Sequence, residues 1–132
     1  MSHSVVQPPG WARPRGYSNG MLARGRQVFI SGQIGWDGQG HFASDGFADQ
    51  VRQALANIVA VLTTAGGRPE HLVRLTWYIT SREAYLAELP AVGTAYREII
   101  GRHFPTMSVV QVVALMEARA RVEIEATAVI PE

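Results

Sequence analysis

Cysteine and lysine are both missing from the 132 residues. Without cysteine there is no disulfide framework, no thiolate metal site and no cysteine nucleophile. That fits a reducing compartment, and a cytoplasmic protein is expected. Without lysine there is no Schiff-base residue and no P-loop lysine, since all 12 basic side chains are arginine. They face 11 acidic ones, for a net charge of +1. That balance leaves no electrostatic footprint for nucleic acid or for an anionic membrane. No apolar run is long enough to span a bilayer. The first twenty residues, MSHSVVQPPGWARPRGYSNG, hold no apolar region of the kind a secretory signal needs. His3, His41, His71 and His103 share no HxH or HExxH spacing, so no metal site is expected. The glycines of SGQIGWDGQG lack the GxGxxG order and do not open onto a helix, which argues against a dinucleotide site.

What is present suffices for a core. The length predicts one domain over residues 1–132, with residues 1–16, rich in Pro and Gly, as an extended lead-in. Residues 21–23 and 27–34 read as a hairpin turning at Arg24-Gly25-Arg26, and 41–43 as a short strand. Phe47, Val51, Leu55, Ile58 and Leu62 recur at spacings of three and four, which predicts a helix over 47–65. Asp45 would cap its start and Gly66-Gly67 would stop it. Residues 71–80 form a strand. Residues 81–104 are helical in pattern, with Pro90 marking a kink or a second helix start. Residues 107–116 and 121–130 read as two strands joined by EARA into a hairpin. The expected class is α+β: a mixed, six-stranded sheet with two helices on one face. Strand 107–116, MSVVQVVALM, is apolar at nearly every position, so its second face needs a cover, and the cover expected is another subunit.

The last strand, RVEIEATAV, puts Glu123, Glu125 and Thr127 on one face and Val122, Ile124 and Ala126 on the other. Together with YSNG (17–20), VFISGQIGWD (28–37), QVRQALANIVAVLTTAGG (50–67), VRLTWYIT (73–80) and FPTMSVV (104–110), its core VEIEATAV resembles the RidA/YjgF/YER057c family of imine and enamine deaminases. The resemblance covers almost the whole chain after about residue 14. It implies a chorismate-mutase-like fold, a homotrimer with a barrel-like inner core, and active sites in clefts between subunits. The implied reaction is cofactor-independent hydrolysis of an imine or enamine to a keto acid and ammonia.

Imine hydrolysis needs a carboxylate to handle water and carbonyl acceptors for the iminium N–H. Glu123 matches the family's water-activating glutamate. As a strand carboxylate in isolation it would more often be merely solvated. Glu125 lies on the same face and is expected to pair with an arginine. Tyr17 matches a tyrosine that closes the cleft, and packing of the N-terminal arm is its other role. Ser31 and Gly32 match the cleft floor, Val109 a position whose backbone carbonyl meets the substrate nitrogen, and Tyr96 is a candidate wall residue with core packing as its alternative. The departure is at position 107. The family's arginine, whose fork holds a substrate carboxylate, is replaced by Met107. Three readings follow. Another arginine, Arg15 or Arg74, reaches the cleft. The substrate lacks a carboxylate, and Met107, Trp36 and Tyr17 line an adaptable pocket. Or the protein is a non-catalytic trimeric binder of small molecules. A ribonuclease activity, ascribed to some relatives, sits poorly with the near-neutral charge.

Overall fold

The computed structural model describes residues 3–132. Strands β1 (His3–Val6) and β2 (Gly20–Ala23) pair antiparallel in a small sheet of their own. Strands β3 (Arg26–Ile34), β4 (Leu72–Ile79), β5 (Thr106–Gln111) and β6 (Val122–Ile130) form the main sheet in the order β3-β6-β4-β5. β4 and β5 run parallel and the other two pairs antiparallel, so the sheet is mixed as expected. It has four strands rather than six, and residues 41–43 contribute only an isolated bridge from Phe42 to Trp36.

Helix α1 spans Phe47–Thr64, and its buried residues include all five of the predicted apolar stripe. Gly66, at φ +88°, ends it in the left-handed turn that glycine adopts without strain. Its N-cap is Gly46, and Asp45 does not cap it. Asp45 instead accepts from Arg119 at 2.9 Å and from Arg121 through its backbone carbonyl, holding the 117–121 loop to the helix start. The buried amide of Gln50 reinforces the same junction. It donates to the carbonyls of Ser44 and Arg119 and accepts from the N–H of Arg121 at 2.8 Å. The 81–104 segment divides at Pro90, which occupies the first turn of a second helix. α2 spans Arg82–Ala87, capped by Ser81, and α3 spans Leu89–Ile99.

Two predicted hairpins do not form. β2 pairs with β1 inside the supposed lead-in, and β3 pairs with β6. Gly25 fits this path, because a Cβ there would collide with the carbonyl of Ile130. The chain passes the end of β6 there instead of folding back. β5 pairs with β4, and β6 inserts between β4 and β3. The apolar run 107–116 is a strand only to Gln111. Its remainder is loop, with Val113 103% and Met116 94% exposed.

The core lies between one sheet face and the helices. Leu72, Leu75, Trp77 and Ile79 of β4 meet Val122, Ile124, Ala126 and Ala128 of β6 on that face, under Val51, Leu55, Ile58 and Leu62 of α1. The opposite face is open and mostly polar. It carries Arg74, Thr76, Tyr78, Glu123, Glu125 and Thr127, with Phe29 (73% exposed) and Val110 among its apolar members. The expectation of an apolar second face is therefore corrected. Much of the supposed surplus sits in the 112–116 loop.

Candidate active site

The seven sequence-derived site residues fall into two groups on opposite faces of the sheet. Tyr17, Tyr96, Met107 and Val109 line a cleft of about 580 Å³ on the helix side. Glu123, Ser31 and Gly32 lie together on the β3–β6 part of the sheet, where Glu123 and Ser31 belong to the open face. Strand register decides this. Met107 and Val109 stand beside Leu75 and Trp77, which are buried under the helices. Glu123 and Glu125 stand beside Tyr78 and Thr76, which face outward.

The cleft runs between β5, the outer strand of the main sheet, and α2–α3. Trp77, Met107 and Val109 form its floor, and Tyr85, Val92 and Tyr96 its helical wall. An arm from the N-terminal region closes the third side. Ser18 fixes that arm by donating its N–H to the Pro105 carbonyl at 3.1 Å and its hydroxyl to the Phe104 carbonyl at 2.5 Å. Tyr17 is thereby held at the rim, half exposed. Tyr96 is packed rather than reactive. Its ring stacks on Phe104 at 5.6 Å, its hydroxyl donates to the His103 carbonyl at 2.6 Å, and burial pushes its ionisation well above the ordinary tyrosine range. The backbone of Val109 is accessible at the sheet edge. In a ladder, alternate residues present their polar groups to the same side. Val112 turns its N–H inward to Ile79 and Pro105 turns its carbonyl outward to Ser18. Counting by two, the Val109 carbonyl shares the outward direction of Pro105.

On the open face the register of β3 against β6 slips between Ile30 and Gln33. That bulge holds Ser31 and Gly32. The Glu123 carboxylate lies directly over Gly32, and a Cβ there would collide with it. Glycine is thus required for this carboxylate to rest where it does. Glu125 accepts from the Tyr78 hydroxyl at 2.6 Å, a partner sequence reasoning missed because the two residues are 47 apart. That hydrogen bond, with Glu125 as a neighbouring negative charge, raises the Tyr78 ionisation above 10.0. Arg74 belongs to this face, in a smaller hollow of about 350 Å³ with Ser31, Thr76 and Glu125. Trp36 lies outside both cavities and packs on Phe42. Arg15 does reach the cleft, and so does Arg97, which the residue pattern did not single out. Its place at i+4 from Gly93 was the available signal. Among the described residues no group of three or more His, Cys, Asp or Glu could hold a metal ion.

The comparisons with known proteins agree with this architecture. Residues 11–130 match the family model described as endoribonuclease L-PSP. The human 2-iminobutanoate/2-iminopropanoate deaminase is 34% identical over 127 residues, covering 96% of this chain and 87% of the relative. Among solved structures, YyfB from Yersinia pestis, a Rid-family protein of unknown function, superposes with a TM-score of 0.87 at 30% identity. It covers 98% of this chain and 100% of its own. Escherichia coli TdcF, crystallised with bound serine, gives 0.68 at 31% identity, with coverage of 96% and 98%. The chain belongs to the RidA/YjgF/YER057c/UK114 family.

Proposed function

We propose that the protein hydrolyses a reactive imine or enamine, with the Glu123 of one copy and the cleft of its neighbour forming each site in a homotrimer. The observation that carries this reading is the division of the site between two sheet faces. One small molecule cannot touch both faces of a single sheet, whereas the edge of β5 in one copy and the open face of another can enclose it. The carboxylate retained over Gly32 and the reaction named for the human relative supply the chemistry.

In this reading Glu123 takes a proton from water as the water oxygen attacks the imine carbon. The C=N electron pair moves onto the iminium nitrogen, leaving a neutral amine on a tetrahedral carbon, and Glu123 passes the proton it took to that amine. As the hydroxyl of this intermediate returns its proton to Glu123, the C–N bond breaks, ammonia leaves and the carbonyl remains. The outward carbonyl of Val109 accepts the iminium N–H and fixes the attacked face. Substrate specificity differs from that of the relatives with arginine at position 107, because Met107 offers no fork for a carboxylate.

The test supplies imines generated in situ by an amino-acid oxidase and follows their loss. Wild type should exceed Glu123→Ala on part of a panel of acidic and apolar imines. Equal rates throughout would sink the deaminase reading and leave a ligand-binding trimer. Co-expression of Glu123→Ala with Val109→Trp, each inactive alone, should restore about a quarter of the activity by random pairing of copies. No recovery would place the whole site within one chain.

A further inference from the structure

The cleft has a chemistry of its own. Aromatic and aliphatic side chains form its interior, and the only charged residues lining it are Arg15 and Arg97, with no acidic residue among them. About 580 Å³ is ample for a drug-sized molecule and large for a three-carbon acid. Arg97 rises from α3 over Gly93. A Cβ at Gly93 would stand 3.2 Å from its Nη1, close enough to move the guanidinium by a few tenths of an ångström. The described arginines in ion pairs are Arg52, Arg68 and Arg119. Arg97 makes only a long hydrogen bond of 3.4 Å to the hydroxyl of Thr94. Trp77 offers the cleft an apolar surface and no accessible polar group. It is 2% exposed, and its Nε1 is the only buried side-chain polar atom without a partner among the described residues.

We infer that the cleft selects a monocarboxylate with a bulky apolar or aromatic body, the body entering toward Met107 and Tyr85 and the carboxylate held at the rim by Arg97. The charge clamp missing at position 107 is supplied from one turn beyond Gly93 on α3. Within the proposed deaminase function, on which the substrate class rests, the preferred imines derive from amino acids with large apolar side chains. Methionine in place of arginine at 107 then opens the interior to that side chain.

The experiment is calorimetric titration of the full-length protein with phenylpyruvate and with pyruvate, keto-acid probes that need no turnover. Phenylpyruvate should bind about ten-fold or more tightly than pyruvate, from burial of the ring. Arg97→Gln should weaken phenylpyruvate binding by about ten-fold or more while leaving the circular dichroism spectrum and Tm unchanged. Arg15→Gln should weaken it less. Equal affinity for the two acids, or a loss that follows Arg15 instead of Arg97, overturns the inference. The two readings fail separately. Tight, Arg97-dependent binding of phenylpyruvate with no Glu123-dependent imine loss keeps the cleft assignment and removes the deaminase. Turnover of short imino acids with no preference for phenylpyruvate does the reverse.

Discussion

The two faces of the main sheet are built from the same four strands and carry opposite chemistry. On the helix side Leu75, Trp77, Met107 and Val109 lead from the packed core into an apolar cleft with arginines at its rim. On the other side Glu123, Glu125, Tyr78, Thr76 and Arg74 form a half-exposed polar surface. One face has room for a molecule and no carboxylate, and the other has carboxylates and a smaller hollow. The comparison teaches that the two halves of the proposed site, binding and reacting, lie on opposite faces within a chain. Each half should therefore respond to mutation without the other.

Glu123→Gln tests this with the largest effect. Imine turnover should fall by about 10²–10⁴-fold with the loss of the general base. Phenylpyruvate binding, measured by titration, should change little. A parallel loss of binding would break the division between faces. Gly32→Ala is expected next in size. The new Cβ meets the Glu123 carboxylate and pushes it from the bulge, so turnover should drop by about 10²-fold with Glu123 still present. A crystal structure of that variant with Glu123 unmoved would remove the explanation.

Gly93→Ala perturbs the opposite face and has two readouts of opposite sign. A mid-helix alanine in α3 should stabilise the fold by about 1 kcal/mol, read as a rise in Tm. The same methyl crowds Arg97, so carboxylate binding should weaken several-fold. A rise in both would mean that the guanidinium is not held over position 93. Tyr78 gives the smallest expected effect. Its ionisation lies above 10.0 in the folded state, mainly through the hydrogen bond to Glu125, so the neutral phenol is the stabilised form. The associated stability is present below pH 10 and is lost as pH rises through the folded value. Alkaline titration followed by tyrosinate absorbance should show Tyr78, Tyr85 and Tyr96 ionising late, and Tyr78→Phe should remove one of the three. A late amplitude unchanged in that variant would mean that the Glu125 hydrogen bond does not hold Tyr78 neutral.

Much of the local structure was legible from side-chain order. The stripe from Phe47 to Leu62 marked α1, Pro90 marked the division before α3, and the alternation of VEIEATAV marked both faces of β6. Partners at long range were not legible. Nothing near MSVVQVVALM says that it lies parallel to β4, or that it stops at Gln111. Nothing near Glu125 points to Tyr78, and the bulge under Glu123 depends on how β3 meets β6. Arg97 was missed for a related reason. A solvent-facing arginine on a helix gains significance only when the cavity beneath it is known.

What side-chain order determined alone was the identity of the helices, the facing of β4 and β6, and the departure at Met107. These follow from periods of 2 and 3.6 that act between neighbours in the chain. What only the tertiary structure decided was that Met107 and Glu123 lie on opposite faces of one sheet. That depends on which strand pairs with which, and in what register. Those choices are made by hydrogen bonding and burial between segments tens of residues apart, where local pattern carries no information.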